Sequence, residues 1–82
     1  MPAGTILGAT QVMGGNNTLI ATSTQGNYEN QEIDLIFATA AAMAGIQRGA
    51  NYTLIDAAGG RFSCVSRYVD PGDCLARFAV VS

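Results

Sequence analysis

The stretch Asn30 to Gly49, NQEIDLIFATAAAMAGIQRG, decides the fold. Asn30 is a good helix N-cap, and Glu32 and Asp34 follow where acid suits the positive end of a helix dipole. Arg48 favours the C-terminal end and Gly49 supplies the left-handed stop. The expectation is a helix from Asn30 to about Gln47.

On a helical wheel that segment has two apolar sides. Ile33, Ile36, Phe37, Ala40, Met43 and Ala44 form one, an ordinary core stripe. Leu35, Ala38, Ala42 and Ile46 form the other, with Thr39 beside them. A helix apolar all round is normally covered on both sides, and a chain of 82 residues has little material for a second layer. Leu35, Ala38, Ala42 and Ile46 are therefore expected to meet another subunit or a partner. The bland alternative is that surface alanines are neutral and one exposed leucine needs no explanation.

The flanking segments read as strands. Thr5 to Met13 and Thr18 to Thr24 are rich in β-branched residues and are separated by Gly14-Gly15-Asn16-Asn17, so they should pair as a hairpin. Gln25 to Glu29 reads as a polar connection. Beyond the helix, Asn51 to Asp56, Arg61 to Val69 and Cys74 to Val81 are strands, divided by Ala57-Ala58-Gly59-Gly60 and by Asp70-Pro71-Gly72-Asp73. The order β-β-α-β-β-β predicts a single α+β domain over residues 1–82. It has about five antiparallel strands with one helix packed on one face.

The closing hairpin selects its own register. A two-residue loop at Pro71-Gly72 would put Arg77 on one face with Phe62, Tyr68 and Leu75. An odd loop sets Phe62 opposite Val80, Cys64 opposite Phe78, Ser66 opposite Ala76 and Tyr68 opposite Cys74. One face then becomes apolar, and Arg61, Arg67 and Arg77 gather on the other. A one-residue slip exchanges faces, so the hydrophobic pattern favours the odd loop, with Gly72 at its left-handed position. That register holds Cys64 and Cys74 beyond disulfide reach, and two reduced, core-packed thiols are expected. A wide loop from Val65 to Asp73 would instead let them bond.

Composition bounds the chemistry. Histidine, lysine and tryptophan are absent, and the four basic residues are arginines. No imidazole base, Schiff-base lysine or phosphate-loop lysine is available. Two cysteines with scattered carboxylates fall short of a zinc set. Each of the six carboxylates has a local role in a cap, turn or connection. Gly59-Gly60-Arg61 leads into a strand rather than a helix, unlike a phosphate loop. Cys64 has no nearby base or cation. A net charge of −2 and a pI near 4.5 argue against nucleic-acid binding. The longest nearly apolar run, Leu35 to Ile46, is too short for a membrane span, which needs about 20 residues. Met1 to Thr5 lacks the basic and apolar regions of a secretory signal, so synthesis in the cytosol is expected.

Charged residues are only 12% of the chain and apolar ones 49%, while Asn, Gln, Ser and Thr number 20. The surface must be largely uncharged amide and hydroxyl, which persistent protein contact tolerates. The expected function is a non-catalytic structural or assembly protein without cofactor. It would self-associate or coat a larger assembly, as coat, decoration and tail components of bacterial viruses do. Arg61, Arg67 and Arg77 could then pair with Glu29, Glu32 and Asp34 of a neighbouring subunit. The alternative is a small binding or inhibitor module acting on a partner protein. A small oligomeric enzyme or ligand-binding domain fits least.

Overall fold

The structure is a computed structural model and describes residues 4–81. It corrects the expected α+β class. The described chain is nearly all antiparallel sheet, with eight strands and no helix beyond two short 3-10 turns. The strands are β1 (Thr5–Ile6), β2 (Gln11–Met13), β3 (Leu19–Thr22), β4 (Gln25–Glu29), β5 (Glu32–Ile36), β6 (Asn51–Ile55), β7 (Arg61–Asp70) and β8 (Leu75–Val80). The 3-10 turns are Gly15–Asn17 and Ala41–Met43.

The helix expected from Asn30 to Gln47 is instead a turn, a strand and a crossover. Asn30 and Gln31 both have positive φ, 53° and 61°, and join β4 to β5 as a two-residue hairpin loop with Glu29 opposite Glu32. The segment called a polar connection, Gln25 to Glu29, is β4. Glu32 to Phe37 alternates: Ile33, Leu35 and Phe37 point inward and are buried, while Glu32, Asp34 and Ile36 point outward. β8 offers this strand matching partners, Phe78 opposite Ile33 and Ala76 opposite Leu35. Burying Ile33, Leu35 and Phe37 outweighs the helix propensity of the alanines, which have little surface to bury. Gln31 gains nothing from its left-handed backbone. Gln31→Gly should therefore raise stability by about 1 kcal/mol, read as a higher urea midpoint at unchanged slope.

The sheet order is β1-β4-β5-β8-β7-β6-β2-β3, and its two ends belong to one hairpin. Between β1 and β2, and between β3 and β4, the chain bends but keeps its pairing. Leu7 N–H donates to the Gly26 carbonyl at 2.9 Å, and Ser23 N–H to the Thr10 carbonyl at 2.8 Å. These bonds continue the register from Thr5↔Tyr28 to Val12↔Ala21. The sheet thus closes into a small barrel of six chain passages, 5–13, 19–29, 32–36, 51–55, 61–70 and 75–80. An interior of this size is filled by side chains. Val12, Ile33, Leu35, Leu54 and Phe78 are fully buried. Tyr28 and Phe62 meet edge to face across the interior, centroids 5.2 Å apart, so β4 and β7 are facing walls. The crossover after β5 drops Met43 and Ile46 into the core. Gly45 lies so close to Ile20 that a Cβ there would stand 2.9 Å from its Cγ2.

The closing hairpin differs in detail from its expected register. Cys64 pairs with Val80 and Ser66 with Phe78, a shift of two that leaves the faces as they were. A bulge between Ser66 and Tyr68 then moves the partners by one more. Tyr68 stands opposite Arg77 on the outside, and the strand runs on to Asp70. The turn is held by Asp70 Oδ1, which accepts from Gly72 N–H at 3.0 Å and more distantly from Asp73 N–H at 3.4 Å. Its left-handed residue is Cys74, φ 54°, not Gly72.

Candidate functional site

The residues expected to form an interface do not share a surface. Leu35 and Ile46 are buried in the barrel core. Ala42 is half-buried against that core, and Ala38 is exposed on the crossover. The second apolar side of the supposed helix is therefore mostly the inner face of β5 together with the plug after it. Arg61 and Arg67 are exposed on β7. Arg77 is engaged: its Nε donates to Asp34 Oδ1 at 2.9 Å and its Nη2 to Oδ2 at 3.3 Å, and its guanidinium lies 5.9 Å from the Tyr68 ring centroid. The Asp34 hydrogen bond and charge hold that guanidinium above its ordinary pKa. Tyr68 donates to Asp70 Oδ2 at 3.0 Å, and this bond raises the phenol pKa.

The register shows what the outside of the barrel carries. One cross-strand row runs Leu19, Met13, Thr53, Ser63. It continues to Val81, whose N–H donates to the Ser63 carbonyl at 2.8 Å. No member is charged, and Leu19 and Val81 are 52% and 56% exposed. A shallow groove of about 410 Å³ opens beside this row from Met13 to Val81, lined also by Gly14, Gly15 and Asn51 and by the inward-facing Tyr52 and Cys64. Sequence reading missed it because its members come from four strands and none is notable alone. The signal available was the lack of charge in Thr5 to Thr24 and Asn51 to Ile55.

The opposite side is acidic. Glu29 and Glu32 stand directly opposed at the tip of the β4–β5 hairpin, an arrangement that destabilises a sheet. With Asn27, Asn30, Asp34 and Arg77 they line a polar groove of about 260 Å³. Among the described residues the one ion pair is Arg77–Asp34. No three of the cysteines, aspartates and glutamates there gather as a metal set.

The chemistry of the interior is inert. Cys64 and Cys74 are both free thiols. Burial pushes the Cys64 thiol up to about 11 from 9.0. The folded state thus keeps its proton where the unfolded state loses it. Cys64 therefore contributes stability that is intact below pH 9 and lost as pH rises through about 11. Urea midpoints measured from pH 8 to 11 should fall, and Cys64→Ala should flatten that fall. Ser66 Oγ is buried with no hydrogen-bond partner, but it faces Phe78 across the strand pair and not an open cleft. No helix among the described residues is long and apolar enough to cross a membrane. No family model matches the chain, and no curated protein or solved structure does either.

Proposed function

We propose that this protein is a non-catalytic structural protein that self-associates or coats a larger assembly. The coat, decoration or tail layer of a bacterial-virus particle is an assembly of this kind. The observation that carries the reading is the uncharged outer row from Leu19 to Val81 with its open groove. A filled barrel keeps its large apolar side chains inside. Exposed apolar residues joined by hydroxyls and free of charge are what the core of a protein contact is made of. The interior is occupied by core side chains, which supports a reading in which contacts are made by the outer wall.

Light scattering over a hundredfold range of concentration tests it. The expected result is a mass above the 8.5 kDa monomer that grows with concentration. Ser63→Glu, on the exposed row, should return the mass to that of a monomer while the circular dichroism spectrum and thermal midpoint stay unchanged. A monomer at every concentration overturns self-association and gives the lead to a binding or inhibitor module with a different partner.

A further inference from the structure

Building on that self-association, we infer that the contact is head to tail, the β4–β5 hairpin tip of one copy seating in the β2–β6–β7 groove of the next. The two hairpin-tip glutamates and the three arginines outside the ion pair sit on different walls of the barrel. Its negative wall holds Glu29 and Glu32 at the hairpin tip and Asp34 beside them. Asp34 is neutralised by Arg77, whereas the two glutamates face each other and make no ion pair among the described residues. The positive wall holds the remaining arginines, and all three are exposed. Arg61 and Arg67 are on β7. Arg48 is next to Gly49, whose N–H donates to the Ser66 carbonyl of β7 at 2.8 Å. Asp56 and Asp70 also lie on or near this wall, but Asp56 Oδ1 accepts from the N–H groups of Ala58 and Gly60 at 2.9 and 2.7 Å, and Asp70 accepts from the Tyr68 hydroxyl and the Gly72 N–H, both at 3.0 Å.

The two walls cannot satisfy each other within one molecule. Tyr28 and Phe62 touch through the interior, so the outer faces of β4 and β7 point in opposite directions. A second copy supplies what each wall lacks. The groove contributes an uncharged floor at Met13, Thr53 and Ser63, and Arg61, two residues from Ser63 on the same face of β7, flanks it. The incoming tip Glu29–Glu32 is exposed throughout and brings two carboxylates, which guanidinium groups recognise well. After one contact forms, one copy keeps a free groove and the other a free tip, so the contact is heterologous. It builds rings or filaments and not a closed two-fold dimer.

Two charge-reversed variants test this: Glu29→Arg with Glu32→Arg, and Arg61→Glu with Arg67→Glu. All four positions are exposed, so both variants should keep the wild-type thermal midpoint. Each alone should associate at least tenfold more weakly than wild type by light scattering. Mixed one to one, every junction is again complementary, and the mixture should regain masses beyond a dimer. Wild-type association should also weaken between 50 and 500 mM salt as the charges are screened. A wild type that associates while both variants associate equally well overturns the head-to-tail contact and leaves self-association standing. A mixture that stops at the dimer overturns it in favour of a two-fold contact. A wild type that is monomeric throughout removes both readings.

Discussion

Leu35→Ala should lower the free energy of unfolding by about 2–5 kcal/mol, while Ala38→Asp should change it by less than about 0.5 kcal/mol. Leu35 is fully buried, opposite Ala76 on one side and Gly26 on the other. Its Cδ2 lies 2.9 Å from where a Gly26 Cβ would stand, so the barrel wall is tight around it and has little slack to refill a void. Ala38 sits on the exposed start of the crossover, where an aspartate is solvated. Small domains have only about 5–15 kcal/mol to lose, so the leucine variant unfolds at a clearly lower urea concentration. On a two-sided helix, Leu35 and Ala38 would lie on one surface and respond alike. Two urea titrations therefore distinguish strand from helix, and an equal response at the two positions would refute the barrel packing of β5.

The helix expectation failed at identifiable residues. Asn30, Glu32 and Asp34 make a plausible cap and first turn, and the same residues make a plausible hairpin corner followed by an alternating strand. What separates the two readings is long-range. Leu35 faces inward because β8 and β4 flank it, and β8 is forty residues further on in sequence. Local propensity does not contain that information. The alanines from Ala40 to Ala42 have the highest propensity in the chain and make a single 3-10 turn. Only Met43 and Ile46 in that segment have enough apolar surface to hold it to the core. By contrast, the first hairpin and the three closing strands were legible, because turn residues bracket β-branched runs at Gly14–Asn17, Ala57–Gly60 and Pro71–Asp73. Which side chains of the last hairpin face inward was legible too, since Cys64, Ser66, Ala76 and Phe78 are all buried. The bulge that turns Tyr68 outward left no local mark.

The same logic explains why the interaction surface was harder to find than the core. Alternation marks a residue as inside or outside, but says nothing about which outside residues become neighbours. Leu19 and Val81 are 62 residues apart and lie in one cross-strand row only because β2, β6 and β7 intervene. The arginines were visible as a group on the last hairpin. One of them, Arg77, proved to be held by Asp34 from β5, a strand that had been read as helix.

Phe78→Ala should be the most damaging single truncation, lowering stability by about 3–5 kcal/mol. Phe78 is fully buried, stands opposite Ile33 on β5 and Ser66 on β7, and meets the Tyr52 ring edge to face with centroids 6.2 Å apart. It therefore ties three strands to each other, and a hole there is bounded by side chains that rigid pairing keeps apart. Because so large a loss can unfold a domain of this size outright, the gentler pair Ile33→Val and Phe78→Leu gives a quantitative check. Residues in direct cross-strand contact couple, and the double-mutant cycle should show an interaction energy of about 0.5 kcal/mol or more. A parallel cycle of Phe78→Leu with Leu19→Ala, at an exposed residue on β3, should be additive within about 0.3–0.5 kcal/mol. An additive Ile33–Phe78 cycle would mean that β5 does not lie against β8, and the closed sheet would be wrong at its central pairing.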